Sequence, residues 1–261
     1  MAQSKERLDQ LLVRRGLVAS RALAQRIVLA GQVRLNGQLV LLASTRVAPD
    51  AAVEISAPPR FVSRGGEKLE AALQHFRLQP GGWVCADVGA STGGFTDCLL
   101  QHGAERVYAI DVGHGQLHWR LQNDPRVILM ERTNARALKQ LPEPVSLVVV
   151  DVSFISLRLI LSSAAGWLEP DGHWVALVKP QFEAGRNQVG KGGVVRDPAV
   201  HRQVVQTVLD SAMEAGLFAK GAMRSPLLGP KGNAEFLLWL QKGGARRSVA
   251  RLVDGLFSRP A

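Results

Sequence analysis

From residue 61 onward the sequence alternates between short apolar runs of strand type and longer amphipathic stretches of helix type, an order that leaves few folds open. WVCADVG (83–89), RVYAID (106–111), RVILM (126–130), VSLVVVD (145–151) and HWVALVK (173–179) have the composition of buried strands. EKLEAALQHF, GGFTDCLLQHG, LRLILSSAAGWL and PAVHRQVVQTVLDSAMEAG have the composition of the helices around them. Parallel strands need crossover connections, and a helix in each crossover covers a face of the sheet. The expected fold class is therefore α/β, with a doubly wound, Rossmann-like, mostly parallel sheet. FAKGAMRS and EFLLWLQ follow, joined by the turn-rich SPLLGPKGNA, and predict an antiparallel pair at the sheet edge.

Residues 1–60 are different in kind. They hold nine Lys/Arg and four Asp/Glu, a net +5 out of the +10 carried by all 261 residues. Pro58-Pro59 marks a linker at their end, so the expected domains are a small α+β unit over 1–60 and a larger α/β unit over 61–261. In RLDQLLVRRG, Leu8, Leu11 and Leu12 fall at helical spacing, and Ser20 caps a second helix that closes at Gly31. Asn36-Gly37 between apolar residues predicts a hairpin. Arg7, Arg14, Arg15, Arg21, Arg26 and Arg34 alternate with the apolar positions and are expected to project outward. For any one of them a solvated surface charge would look the same. Six on one small unit predict a phosphate-rich partner, RNA or DNA.

Other classes are disfavoured. Two cysteines, Cys85 and Cys98, do not make a disulfide framework and are expected as buried, reduced thiols. MAQSKERLDQ lacks the apolar core of a signal peptide, and no run approaches the ~20 apolar residues of a membrane span. A soluble cytoplasmic protein is expected, without membrane contact. His114 and His118 stand at i and i+4 but lack a nearby Cys or third His, so no metal site is expected.

The chemistry gathers at strand ends. The first strand runs into Asp87-Val88-Gly89-Ala90-Ser91-Thr92-Gly93-Gly94-Phe95. In a dinucleotide-binding loop a second glycine would admit a pyrophosphate, and Ser91 stands in its place. The loop instead has the D-x-G-x-x-x-G form usual in methyltransferases, which favours S-adenosylmethionine over NAD. Asp87, Gly89, Ser91, Gly93 and Gly94 are the candidate cofactor residues. Asp111, ending the second strand, is expected to accept from ribose hydroxyls. Asp151 and Lys179 end the fourth and fifth strands, the edge where open α/β sheets place their sites. Lys68 opens a helix beside the first strand and Glu235 opens the EFLLWLQ strand. Residues 181–196 are long for a structureless loop and are expected as a substrate lid.

RLDQLLVRRGLVASRALAQRIVLAGQVRLNG resembles the S4-like RNA-binding domain. SRGGEKLEAAL, ADVGASTGGFTDCLL, YAIDVGHGQL, NDPRVILMERTNAR, DVSFISLRLIL, LVKPQFEAGR, VGKGGVVRDP and GPKGNAEFLL resemble the TlyA-type family, historically labelled haemolysins. That resemblance covers nearly the whole chain. It implies an FtsJ-like RNA 2′-O-methyltransferase domain after the S4-like one, with Lys68, Asp151, Lys179 and Glu235 as a catalytic Lys-Asp-Lys-Glu set. It implies S-adenosylmethionine in the glycine loop and at Asp111, and ribosomal RNA or a ribosomal subunit as partner. Arg7, Arg14, Arg21, Arg26 and Arg34 become candidate RNA contacts. Lys179 is the expected base, with Lys68 and Glu235 orienting the hydroxyl and Asp151 balancing charge. Base methylation is a weaker fit, because Asp151-Val152-Ser153-Phe154 lacks the two prolines of an Asp-Pro-Pro-aromatic element. A membrane-active haemolysin and a non-catalytic RNA-binding protein are the competing classes. GGARRSVARLVDGLFSRPA is the least family-like segment.

Overall fold

The computed structural model describes residues 5–56, 59–244 and 247–258, the side chain of Pro230 aside. Pro58 of the expected linker and, in the final basic segment, Arg246 and residues 259–261 lie outside the described residues. The chain divides into two compact units, Met1–Arg60 and Phe61–Ala261.

The first unit comprises β1 (Glu6–Arg7), α1 (Leu8–Arg14), α2 (Arg21–Leu29), β2 (Val33–Leu35), β3 (Gln38–Leu39), β4 (Arg46–Val47) and β5 (Val53–Ile55). Leu8, Leu11, Leu12, Ala24, Val28 and Val33 form its core. The Ser20 hydroxyl accepts from the Leu23 N–H at 3.2 Å and starts α2. Asn36 and Gly37 both take positive φ, 49° and 79°, as the tight turn between β2 and β3 requires. β5 pairs antiparallel with β2, and β1 with β4. Strands of two or three residues are too short to show an alternation, so β1, β4 and β5 left no mark in the sequence pattern.

The second unit comprises α3 (Gly65–Phe76), β6 (Val84–Val88), α4 (Gly94–Gln101), β7 (Arg106–Ile110), α5 (Trp119–Gln122), β8 (Val127–Met130), β9 (Val145–Val150), α6 (Arg158–Ala165), β10 (Leu168–Val178), α7 (Pro180–Glu183), α8 (Pro198–Glu214), β11 (Leu217–Arg224), β12 (Phe236–Lys242) and α9 (Val249–Phe257). Seven strands form one sheet in the order β11-β12-β10-β9-β6-β7-β8. The five strands from β10 to β8 are parallel. β12 runs antiparallel to both neighbours, β10 and β11. The antiparallel pair expected at the edge thus forms, with the reversed strand one place in and β11 outermost.

Along β9, Val148 and Val150 pack into the core on one face while Leu147 and Val149 pack into the core on the other. Helices cover both faces, which is why VSLVVV is apolar without alternation. Cys85 and Cys98 are free and buried, and burial pushes the Cys85 thiol up. α9 lays Val253 into the core and brings Phe257 within 5.2 Å of Phe236, ring centre to ring centre.

Residues 181–196 are not structureless. They contain part of α7, a turn of 3-10 helix at Arg186–Gln188 and a bridge between Gly190 and Val194. The Asn233 side chain accepts from the Val195 N–H and donates to the Gly193 carbonyl, both at 3.0 Å. The Glu183 carboxylate accepts from the Ser156 hydroxyl at 2.6 Å and the Leu157 N–H at 2.7 Å. The stretch expected as a substrate lid is thus pinned at both ends.

Candidate active site

The strand order reverses between β6 and β9, because β7 and β8 extend the sheet one way and β10 the other. Open α/β sheets leave a crevice at such a point, outside the strand C-termini. Gly89 and Asp151 emerge there side by side. Gly89 has φ +83°, and a Cβ on it would lie 2.6 Å from the Asp151 carbonyl oxygen. Only glycine lets these two strand exits touch.

The loop after β6 is tied to the end of β7 through Asp111. Its carboxylate accepts from the Ser91 N–H at 2.8 Å and from the Gly113 N–H at 2.7 Å. Each oxygen keeps capacity for a second donor, so a ribose can still be bound. Gly94 serves packing: a Cβ there would lie 2.2 Å from the Ser63 hydroxyl oxygen and 3.0 Å from the Gly66 nitrogen, so the starts of α3 and α4 meet.

Two expected cofactor residues also serve packing. Gly93 lines neither cavity described below. It has φ +96°, and a Cβ on it would fall 2.3 Å from a Leu121 methyl and 2.8 Å from a Leu117 methyl. Its missing side chain makes room for the core. Asp87 is fully buried beneath the loop, where it accepts from the Thr96 N–H at 2.9 Å and the Thr96 hydroxyl at 2.7 Å. It fastens the first turn of α4. Burial pushes its carboxyl up to about 7, against the opposing pull of the Thr96 hydroxyl and with help from the Asp151 charge.

That rise has a consequence for stability. In the unfolded chain an aspartate ionises near pH 3.9, whereas folded Asp87 keeps its proton until about 7. The folded state then binds more protons, so stability falls as pH rises from about 4 to about 7 and levels off above. The loss is expected to be at most about 4 kcal/mol. Asp87→Asn keeps an oxygen for Thr96 and should flatten this slope. Thermal denaturation at several pH values checks it, and an unchanged slope in the variant refutes it.

The four residues of the Lys-Asp-Lys-Glu set line one cavity of about 280 Å³ together with Gly89 and Ser153. α3 supplies Lys68, the exit of β9 supplies Asp151 and the exit of β10 supplies Lys179. Glu235 stands at the start of β12, and the antiparallel sense of that strand brings its start to the same end as the parallel strands' exits. Val178 pairs with Phe236, which sets Lys179 opposite Glu235 on neighbouring strands. Lys68 Nζ and Glu235 Oε2 are 2.5 Å apart, with the Glu235 side chain fully buried. Lys179 Nζ and Asp151 Oδ1 are also 2.5 Å apart. Gly229 leaves room for Glu235, since a Cβ there would lie 2.1 Å from its Oε1.

A second cavity of about 440 Å³ is lined by Asp111, Gln116, Asn134, Phe154, Ile155 and Ile160, among others. The two cavities share Gly89, Ser91, Asp151 and Ser153. They therefore meet at the exit of β9. Ser153, whose hydroxyl accepts from Lys179 Nζ at 2.8 Å, was not singled out from sequence. Neither was Phe154, which is 87% exposed at φ +67° with its ring 5.1 Å from that of Phe182. Both lie in DVSFIS, just past a strand end, and an exposed aromatic at such a place was the available signal.

His114 Nδ1 lies 2.5 Å from Glu131 Oε2, and His118 Nδ1 accepts from the Arg120 N–H at 3.2 Å. Among the described residues no His/Cys/Asp/Glu group is disposed to hold a metal.

In the first unit the arginines divide. Arg7 and Arg21 converge on buried Asp9, at 2.9 and 3.3 Å, and Arg7 in particular holds that carboxyl far below the usual carboxylate range. Arg14 pairs with Glu6 at 2.5 Å. Arg34 donates to the Gly37 carbonyl at 3.0 Å across the hairpin. Arg26 is exposed on α2. Arg15, expected to project outward, donates to the Ala51 carbonyl at 2.7 Å and to that of Pro49, because the loop carbonyls need a donor.

Comparison with known proteins places this geometry. The S4 domain model matches residues 6–53, and the FtsJ-like methyltransferase model matches residues 61–242. The chain is 47% identical to the 16S/23S rRNA (cytidine-2′-O)-methyltransferase TlyA of Mycobacterium tuberculosis, over 98% of this chain and 97% of that one. It is 42% identical to Hemolysin A of Brachyspira hyodysenteriae, over 88% of this chain and 98% of that one. A solved structure described as a hemolysin from Streptococcus thermophilus superimposes with a TM-score of 0.73 at 42% identity, covering 97% of this chain and 96% of the other. With Lys179 at a strand exit, a reversed β12 and a glycine loop, the chain belongs to the FtsJ-like methyltransferase family, with an S4 domain ahead of the methyltransferase fold.

Proposed function

We propose that this methyltransferase moves the methyl group of S-adenosylmethionine to a ribose 2′-hydroxyl of ribosomal RNA. The observation that carries this is the meeting of two cavities at Asp151 and Ser153, one with the Lys-Asp-Lys-Glu set and one with Asp111. The residues present fit the cofactor. Asp111 retains acceptor capacity for ribose hydroxyls, Ile155 and Ile160 offer apolar walls to a base, and the loop at Ser91 lacks the glycine a pyrophosphate would need. When bound, S-adenosylmethionine supplies an electrophilic sulfonium methyl.

This chain's residues do the rest. A 2′-hydroxyl is a weak nucleophile and must lose its proton as it attacks, and the neutral amine form of Lys179 takes that proton. Asp151 balances the ammonium that results, and Ser153 holds the amine in place. Lys68 and Glu235 line the same cavity and orient the hydroxyl. Holding hydroxyl and methyl in line can supply ~7–11 kcal/mol of the barrier. The exposed Phe154 ring offers a stacking face for an unstacked base. The M. tuberculosis relative is a cytidine-2′-O-methyltransferase of 16S and 23S rRNA, which supports the substrate class.

The test is methyl transfer to ribosomal RNA by the purified protein, with the product mapped to ribose or base. Methyl groups on a base, or tight binding of NAD in place of S-adenosylmethionine, would overturn the proposal. The hemolysin names among the relatives pose membrane lysis as the rival, and no helix among the described residues is long and apolar enough to cross a membrane.

The two units should divide the labour. Both cavities lie wholly within residues 61–242, so a fragment of residues 61–261 should bind S-adenosylmethionine like the full chain. Without the arginines of the first unit its RNA affinity should depend less on salt, with a log–log slope shallower by about 0.7–0.9 for each phosphate those arginines had neutralised. Equal slopes and equal turnover for fragment and full chain would remove the first unit from RNA binding.

A further inference from the structure

A groove of about 590 Å³ follows the edge strand β11 and shares no lining residue with the catalytic or cofactor cavity. Its rim carries His75, Arg77, Lys220, Arg224, Arg247 and Arg251, and among the described residues no carboxylate lines it. Phe76, Met223 and Trp239 form its apolar floor. These cations come from three elements far apart in sequence: the end of α3, the strand β11, and α9 with the residues before it.

The local structure aims them. Lys220 is the extra residue of a bulge between Ala219 and Gly221 in the β11–β12 pairing. Such bulges redirect side chains at sheet edges. Gly221 lets the bulged strand settle on Phe76, since a Cβ there would lie 2.8 Å from a ring carbon. Arg247 donates to the Lys220 carbonyl at 3.0 Å, which joins α9 to the strand edge. α9 turns Val253 into the core and leaves Arg251 exposed. The least family-like segment of the sequence thus supplies one wall of the groove.

The groove also reaches the reaction centre's end of the sheet. Arg224 pairs in register with Phe236, and the Ser225 N–H donates to the Glu235 carbonyl at 2.9 Å. From Arg224 the strand runs back about 13 Å to Lys220 at 3.3 Å per residue.

We infer that this groove binds the phosphate backbone of the RNA substrate beside the target nucleotide. The inference rests on the proposed function. Cations on an edge strand can also serve only to discourage strand pairing. Arg77, Arg247 and Arg251 are not on the strand, so edge protection does not account for them. Guanidinium groups without a facing carboxylate match phosphates, which they pair bidentately. The track starts at Arg224, next to Ser225, whose N–H is hydrogen-bonded to the backbone of Glu235 in the proposed catalytic set.

The experiment uses full-length protein and the shortest ribosomal-RNA fragment that it methylates. In the variant Arg77→Gln/Arg224→Gln/Arg251→Gln, the slope of log affinity against log salt should fall by about two to three units. KM for RNA should rise about tenfold or more, with kcat little changed. The corresponding Arg→Lys triple variant should recover most of the slope, because the charge returns. An unchanged thermal shift with S-adenosylmethionine establishes that both variants are folded. Methylation by the wild type together with an unchanged slope in the Gln variant overturns the groove and leaves the methyltransferase proposal standing. Loss of binding to a polyglutamate peptide without any change in RNA slope assigns the groove to an acidic protein and overturns it too. A wild type that neither binds nor methylates RNA overturns both.

Discussion

Lys179→Ala is expected to lower methyl transfer by at least about 10²–10⁴-fold, the contribution of a positioned general base. S-adenosylmethionine affinity should stay within about twofold, because Lys179 lines the cavity of the Lys-Asp-Lys-Glu set and not the one with Asp111, where the cofactor is proposed to bind. Asp151 loses its partner in this variant, but its side chain retains 23% exposure and can be solvated, so the fold should persist. Lys179→Arg separates two roles. It keeps the positive charge beside Asp151 but cannot release a proton and act as base. It should be nearly as inactive as the alanine variant. Single-turnover rates and calorimetry on the same preparations check both statements. Activity near the wild-type level in either variant would reject Lys179 as the base.

The second large effect is on stability. Lys68 is 8% exposed, and Glu235 is fully buried, with their charged atoms 2.5 Å apart. Glu235→Ala would leave the ammonium of Lys68 buried without its counter-charge. Breaking a buried pair in this way costs about 3–5 kcal/mol. For a unit of this size that is a fall in Tm of roughly 6–20 °C. Replacing both partners, as Lys68→Met/Glu235→Leu, should recover most of the loss, because no unpaired charge remains. The double variant should stay inactive. Differential scanning calorimetry and the methyl-transfer assay together decide the matter. A single variant as stable as the wild type would show that the pair is not held dry. An active double variant would remove both residues from the chemistry.

The parallel strands were legible because each is a continuous apolar run. The observed β6, β7, β8 and β9 begin and end within one residue of the runs at 83–89, 106–111, 126–130 and 145–151. β10 differs: it starts at Leu168, ahead of the HWVALVK run, across a register shift that joins Leu168 to Val145. Glu169, Pro170, Asp171 and Gly172 fill that stretch, and no periodicity marks such residues as strand. The set proposed to be catalytic was legible from strand ends and from a family likeness. Ser153 and Phe154 were not, because a loop has no period and its side chains are aimed by what they pack against.

What the sequence determined by itself was therefore local: apolar runs, caps, the Asn36-Gly37 turn and the glycine loop, each set by a residue's own backbone preferences and its near neighbours. The tertiary structure alone decided what each member of that loop packs against. Gly93 turned out to make room for Leu117 and Leu121, and Asp87 to anchor Thr96 beneath the loop. It alone joined Lys68 to Glu235 across 167 residues, and gathered Arg77, Arg224 and Arg251 on one groove. Such meetings depend on strand order and on the reversed sense of β12. Strand order is fixed by which apolar faces bury best against one another, a property of the whole packed chain that no window of sequence contains.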